Sequence, residues 1–418
     1  MVRKNQMKDV QTLDTREGGS KPSPLVSQIA PLLFLVGIFF LNFVSRIMLG
    51  PLMPAVEEAL KVGHKEAGAL FLLISIGYSP ALLASGFVSS RLNHKRTITL
   101  SSIALGGALL IVGFGRDLWT IRLGLVVMGL AAGLYLPSAI ATITEMVCIR
   151  DWGKAIAIHE LAPNLGLMAA PFLAEALLSW CSWQDIMKLW GFLFIFAGFL
   201  FHRFGRGGCF SGEAPNFHTF GIILKEPSFW IMMFFFGLGI GAQMGGYSIM
   251  PLYLVSEHGM DRPWANTMLG FARMAALVMT LLSGWITDRL GTKQTLRIVL
   301  LAVGVMTLML GMVSGSLVIL FVFLQAMLST CFFTPWFAAI AQMASPKIKN
   351  VAVSITVPLG SLFGAGVIPA ALGAFGEAGS FSTGFIILGG LLMGSFLLVP
   401  YLKFPEKYPN PPPPCPSP

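Results

Sequence analysis

Twelve apolar runs follow one another along this chain, each about as long as a lipid bilayer is thick when coiled into an α-helix. They lie at about 30 to 56, 65 to 90, 96 to 115, 118 to 147, 153 to 179 and 186 to 203, and again at about 227 to 256, 264 to 288, 294 to 313, 316 to 343, 350 to 375 and 381 to 402. At 1.5 Å rise per residue, about 20 residues cross a core roughly 30 Å thick. Backbone polar groups find no water inside lipid, so such runs are confined to helices that satisfy them internally. The fold class expected is an all-α polytopic membrane protein with twelve transmembrane helices in two six-helix pseudo-repeats. The expected division is a disordered tail at 1–28, a first bundle at 29–203, a polar linker at 204–226, a second bundle at 227–403 and a disordered proline-rich tail at 404–418.

Composition excludes the other broad classes. Charged residues are 11% and hydrophobic residues 55%, whereas a water-facing fold carries about a quarter charged residues. The net charge of +9 would fit a nucleic-acid partner if the basic residues shared an amphipathic face, but they sit in the gaps between apolar runs. No nucleic-acid partner is expected. The five cysteines have no paired spacing, so neither a disulfide framework, a metal site nor a cofactor is read from them. The first apolar run is too long for a signal peptide and should stay in the mature chain.

The positions of Lys and Arg give an orientation. Twenty of the 28 fall in the tails and in the loops that follow even-numbered helices, and six fall in the opposite loops. That bias places both termini in the cytoplasm of an inner, or cell, membrane.

The chain also repeats itself. Gly284 to Lys293 reads GWITDRLGTK, a tight hairpin between two apolar runs, and 198 positions earlier Gly86 to Arg96 reads GFVSSRLNHKR. Pro137 falls opposite Pro335 and Pro171 opposite Pro369 at the same offset, with Pro54 opposite Pro251 at 197. Parallel six-helix halves place a binding site between them near the midplane, where rocking gives alternating access.

On these motifs the chain resembles the major facilitator superfamily over about residues 29 to 403. The family's G-x-x-x-D-R-x-G-x-[RK] loop is matched by Gly284, Asp288, Arg289, Gly291 and Lys293. In the first half Gly86, Arg91 and Lys95 match, but Ser90 replaces the acid and Asn93 the second glycine. The resemblance implies a latch in which the acid holds neighbouring helix ends together, weaker on the first half. Glu145, Arg150 and Gly153 match the family pattern between the fourth and fifth helices, implying a gating contribution beside the plainer reading of a solvated ion pair. The fifth helix supplies fewer glycines than the family's antiporter motif.

Two cations lie where cations are costly. Arg46 sits about sixteen residues into the first helix and Arg273 about nine residues into the eighth, and an arginine centred in a bilayer costs about 2.5 to 3.5 kcal/mol on insertion scales. For Arg46, an anion-binding role stands beside an internal ion pair and snorkelling toward the outer interface. No acid lies one turn from Arg273; the nearest are Asp261 and Asp288. Guanidinium forks match carboxylate and phosphate oxygens bidentately. The pair points to a small organic or inorganic anion held between the halves.

His159 and Glu160 lie in the inner third of the fifth helix. Adjacent helical residues point about 100° apart, so one of them faces the cavity squarely, and Glu160 is the better proton site because desolvation favours its neutral form. Glu160 pairing with an arginine is the structural alternative, and a zinc protease is excluded because Pro163 stands where a second histidine belongs. Asn42, Tyr135, Asn164, Gln243, Tyr247 and Trp336 are further candidates for substrate contact, each equally suited to interhelical packing. Gly237, Gly239, Gly241, Gly245 and Gly246 lie inside a spanning helix and are read as packing or a bend, not as a dinucleotide fingerprint. The function expected is secondary transport of an organic anion, with protons as coupling ion, by a monomer in the lipid bilayer; the alternative is efflux of a lipophilic compound. An enzyme would need a nucleophile or metal cluster, and a sensor an appended signalling domain; neither is spelled here.

Overall fold

The structure, a computed structural model, describes residues 24–212, 225–343 and 346–402. The expected tails at 1–23 and 404–418, and the linker between 213 and 224, lie outside the described residues.

Eleven helices among the described residues are long and apolar enough to cross a membrane, and one bent helix completes a set of twelve. In chain order they are α1 Leu25–Leu60, α2 His64–Leu92, α3 His94–Phe114, α4 Leu118–Met146, α5 Ile149–Leu178, α6 Trp183–Phe204, α7 Pro227–Ser256, α8 Arg262–Leu290, α9 Thr292–Met312, α10 Leu317–Ile340, α11 Ala352–Glu377 and α12 Phe381–Tyr401. Helix α8 bends by 40° between Thr280 and Leu282. No proline or glycine explains the bend, but Thr280 Oγ1 donates back to the Ala276 carbonyl at 3.2 Å, a bond that bends helices by competing with the ladder.

Packing follows the sequence repeat. Within the first half α3 lies against α6 and α2 against α4; within the second, α9 lies against α12 and α8 against α10. Between the halves α1 meets α7, α2 meets α11 and α5 meets α8. The last two pairs exchange under the pseudo-two-fold, because α2 corresponds to α8 and α5 to α11.

Exposed tryptophans mark two levels. Trp119, Trp180 and Trp264 stand at one end of the bundle, and Trp152, Trp230 and Trp285 at the other. Aromatic belts of this kind sit at membrane–water boundaries. The second level is also where the described chain begins, where the linker leaves and returns, and where α12 ends; it is called the terminal face below, and the opposite one the far face.

One boundary differs from expectation. Leu25–Gln28 form a 3-10 turn rather than part of a loose tail, because the Leu25 amide donates to the Asp151 carboxylate at 3.4 Å. The start of the linker is likewise tied down. The Lys95 amide donates to the Gly208 carbonyl at 2.8 Å, the Gly208 amide to Glu145 at 2.6 Å, and the Gly212 amide to the Ser89 carbonyl at 3.0 Å.

Candidate functional site

Contacts between the halves gather toward the far face. Gly50 of α1 lies against the Ser248 backbone of α7, and a β-carbon at Gly68 of α2 would strike the Pro369 carbonyl and the Gly373 backbone of α11. The Glu377 carboxylate receives the Lys65 amide at 3.4 Å, at the N-terminus of α2, where negative charge is favoured. Arg262 of α8 donates to both oxygens of Glu175 on α5, at 3.1 and 3.3 Å, and Asn266 donates to Glu175 and to the Pro51 carbonyl, each at 3.1 Å. Ser79 Oγ donates to the Pro358 carbonyl at 2.8 Å near mid-membrane.

Beyond that level the halves part around a cavity of about 750 Å³. Its walls are the middle of α1, α2 and α7 and the terminal-side portions of α4, α5, α8, α10 and α11. It therefore opens toward the terminal face, and the far face is sealed.

Arg46 lines this cavity. Its guanidinium lies 4.3 Å from the Tyr78 ring centroid and 5.3 Å from that of Phe43, and no acid among the described residues pairs with it. Only its Nε is both buried and unpartnered, which leaves the terminal nitrogens toward the open space. Glu160, Asn164 and Gln243 share the lining. Asn164 Nδ2 donates to the Glu160 carbonyl at 3.4 Å, and Gln243 Nε2 to Thr330 Oγ1 at 3.4 Å.

Behind Glu160, His159 is wholly buried, stacked on Phe39 with ring centroids 4.4 Å apart. Hydrogen positions follow from its partners. The Tyr135 hydroxyl donates to the Leu35 carbonyl at 2.6 Å, so at 3.3 Å from His159 Nε2 it accepts, and that nitrogen carries a hydrogen. His159 Nδ1 lies 3.4 Å from Glu160 Oε1. At that separation the pair can share a proton, held on either the imidazole or the carboxyl.

A family model described as the Major Facilitator Superfamily matches residues 35–355, with a second match over 274–417. The chain belongs to the major facilitator superfamily. It is a membrane transporter of that family, not an enzyme. Among its relatives, the membrane sensor protein UhpC of Escherichia coli strain K12 is 25% identical over 67% of this chain and 69% of its own length. The 3-(3-hydroxy-phenyl)propionate transporter of the same strain is 25% identical over 66% of this chain and 69% of its own. A probable sulfoacetate transporter, SauU, of Cupriavidus necator strain H16 is 20% identical over 37% and 36%. The fold is shared with a bacterial homologue of the human lysosomal transporter Spinster in an inward-facing, unoccupied conformation, at TM-score 0.72 and 15% identity over 92% of this chain and 96% of that one. It is shared also with the nucleoside transporter NupG, at TM-score 0.73 and 14% identity over 89% and 98%.

Set on this major facilitator frame, several expected ligands stand off the cavity wall in packing contacts. Asn42 is buried and donates to the Ala132 carbonyl of α4 at 3.3 Å. Tyr135 serves His159 and the Leu35 carbonyl, and Trp336 Nε1 donates to the Met232 carbonyl at 2.9 Å. Tyr247 is buried against Arg273, their separation 5.2 Å from guanidinium to ring. None of these side chains lines the cavity in this conformation. Asn42, Tyr135 and Trp336 each place their polar tip on a carbonyl of a neighbouring helix, whereas the Tyr247 hydroxyl is buried without a hydrogen-bond partner.

Arg273 also stands off the wall in this conformation. It is 3% exposed, held by a feature of α7 that its sequence hides. Residues Gly241–Gly245 form a π-turn, which shifts carbonyls out of the regular ladder. Arg273 Nη2 donates to the Gln243 carbonyl and Gln325 Nε2 to the Ala242 carbonyl, both at 2.7 Å. Nη2 of the arginine thus braces the bend of α7, while its Nε and Nη1 are buried without a partner.

The gating candidates are unlatched here. Asp288, Arg289, Arg91 and Arg150 are exposed, Asp288 makes no ion pair among the described residues, and Arg289 stacks over Trp285 at 4.4 Å. Glu145 holds the linker rather than a basic partner. Gly284 and Gly291 have open space around them. Glu175 and Tyr78, which carry the far-face contact and the Arg46 stack, were not read as site residues. Their signal lies in pairings across helices, which a single sequence does not display.

Proposed function

We propose that this transporter moves an organic anion together with a proton by alternating access. The observation that carries the reading is Arg46: a guanidinium on the wall of the central cavity with no acid among the described residues paired to it. A cation in that position needs a water-filled space or an anionic partner. Names of two relatives, a sulfoacetate transporter and a 3-(3-hydroxy-phenyl)propionate transporter, agree with an organic acid as cargo. The His159–Glu160 pair supplies a proton store beside the cavity, and a proton carried with the anion offsets its charge.

The bias of Lys and Arg assigns the terminal face to the cytoplasm of a cell membrane, which makes the conformation inward-open. On that assignment the Glu175–Arg262 contact closes the outside. Return to the outward-open state exchanges this contact for a latch at Asp288. One chain contains both halves of the cavity, so a monomer suffices.

Uptake of labelled carboxylates into proteoliposomes, with and without a proton gradient, tests the proposal. Anion accumulation that requires the gradient in the wild type, and collapses to gradient-independent exchange in Glu160→Gln, is expected. Binding without transport would instead make the chain a sensor, the role named for the UhpC relative. The apolar walls favour one competing reading, a carrier of neutral lipophilic compounds; transport of such compounds with no anion uptake would replace the proposal.

A further inference from the structure

We infer that the cavity is built for a monovalent carboxylate with an aromatic body, rather than for a sugar phosphate or a dicarboxylate. This deepens the organic-anion reading and rests on it.

Charge sets the first limit. Among the described residues lining the cavity, Arg46 is the one Lys or Arg and Glu160 the one acid. With the co-transported proton of the proposed cycle loaded on the Glu160–His159 pair, that pair has no net charge, whether as a neutral imidazole with a neutral carboxyl or as imidazolium with carboxylate. The wall therefore carries one positive charge. A monoanion neutralises it, whereas a dianion leaves a charge unpaired in an enclosure of low polarity, which is strongly disfavoured.

Geometry sets the second. The Arg46 guanidinium lies at 4.3 Å over the Tyr78 ring, so that face is occupied and its edge is what remains. An edge with two N–H groups takes a single carboxylate bidentately.

The walls set the third. Around Arg46 the cavity presents Phe43, Phe71 and Tyr78 from the first half and Phe236, Phe333 and Phe337 from the second. Rings on both sides favour an aromatic body through offset and edge-to-face contacts. Several of the polar side chains are already engaged within the protein, as in the Gln243–Thr330 and Asn164–Glu160 contacts and the bonds of Ser248 and Thr280 to carbonyls of their own helices. A sugar would bury hydroxyls that find too few partners. At about 750 Å³ the space exceeds the needs of a two-carbon acid and falls within the usual range of sites for ring-bearing ligands.

Titration calorimetry of the purified full-length protein with 4-phenylbutyrate, glucose 6-phosphate, succinate and the neutral 4-phenylbutyramide tests this. The phenyl acid should bind at least tenfold tighter than each of the other three. Arg46→Gln should reduce its affinity to that of the amide, with the unfolding temperature of the variant recorded as a check on folding. If Arg46→Gln does not fold, Arg46→Lys keeps the charge without the fork and should weaken the acid at least fivefold. Tightest binding of glucose 6-phosphate or succinate, or equal affinity for all three anions, overturns the aromatic monocarboxylate and leaves the organic-anion reading in place. Failure of the folded protein to bind any of the anions, or equal binding of acid and amide, overturns both.

Discussion

Asn93 and Gly291, 198 positions apart, turn the chain through the same backbone conformation: φ 65° and ψ 164° at Asn93, φ 80° and ψ 152° at Gly291. A β-carbon is poorly accommodated there, at a cost of about 1 to 3 kcal/mol. Asn93 recovers part of this, since its Oδ1 accepts the Arg96 amide at 2.9 Å. The two halves thus keep one hairpin geometry even where the motif residue has changed.

Replacing Asn93 with Gly should therefore stabilise the protein. Strain is relieved, and the loss of the side-chain cap costs only a few tenths of a kcal/mol at such positions, so a net gain of about 1 kcal/mol is expected. The reciprocal Gly291→Asn should destabilise. Thermal unfolding of the detergent-purified variants checks both signs, and a lowered midpoint for Asn93→Gly contradicts the strain argument.

The Glu175–Arg262 contact joins α5 to α8 on the far face, with both side chains partly exposed. Glu175→Gln should shift the population toward the state open on that face by about 1 kcal/mol, the upper range for exposed pairs. The double charge swap Glu175→Arg with Arg262→Glu should restore it in part. Distance distributions between spin labels at Val62→Cys and Ala378→Cys, in a background without native cysteines, report the shift. Unchanged distances in Glu175→Gln would remove this contact from the gate.

Arg273 and Arg46 should separate cleanly in kinetics. If Arg273 clamps the carbonyl of Gln243 and touches no cargo, Arg273→Met should leave anion affinity within about threefold while slowing turnover through a loosened α7. Arg46→Met should weaken affinity itself, because it removes the ion pair rather than a hinge support. Binding and counterflow on the same preparations distinguish them; a tenfold loss of affinity in Arg273→Met would return that residue to the binding site.

How much of this was legible in sequence follows from which interactions are local. The helices could be read because the bilayer imposes one length and one polarity on every span, and the halves because Gly86 and Gly284 begin the same hairpin. Arg46 was legible for a similar reason: a charge far from both ends of an apolar run demands a partner or a wet cavity. For Asn42, Tyr135 and Trp336 the sequence left cargo and packing equally open, because a polar tip on an apolar helix looks the same whether it meets cargo or a neighbouring carbonyl. The setting of Arg273 was not legible because the π-turn that it holds is a register shift in the backbone. The glycine cluster that permits the turn was visible, but not which carbonyls it would release.

The account stands on the Arg46 guanidinium as the group that binds the transported anion. Its most direct measurement is uptake of labelled benzoate by proteoliposomes containing equal amounts of wild type, Arg46→Lys and Arg46→Gln. Loss of at least nine-tenths of the uptake in Arg46→Gln, with a measurable remainder in Arg46→Lys, is the result expected. Wild-type uptake of the anion by Arg46→Gln would contradict it.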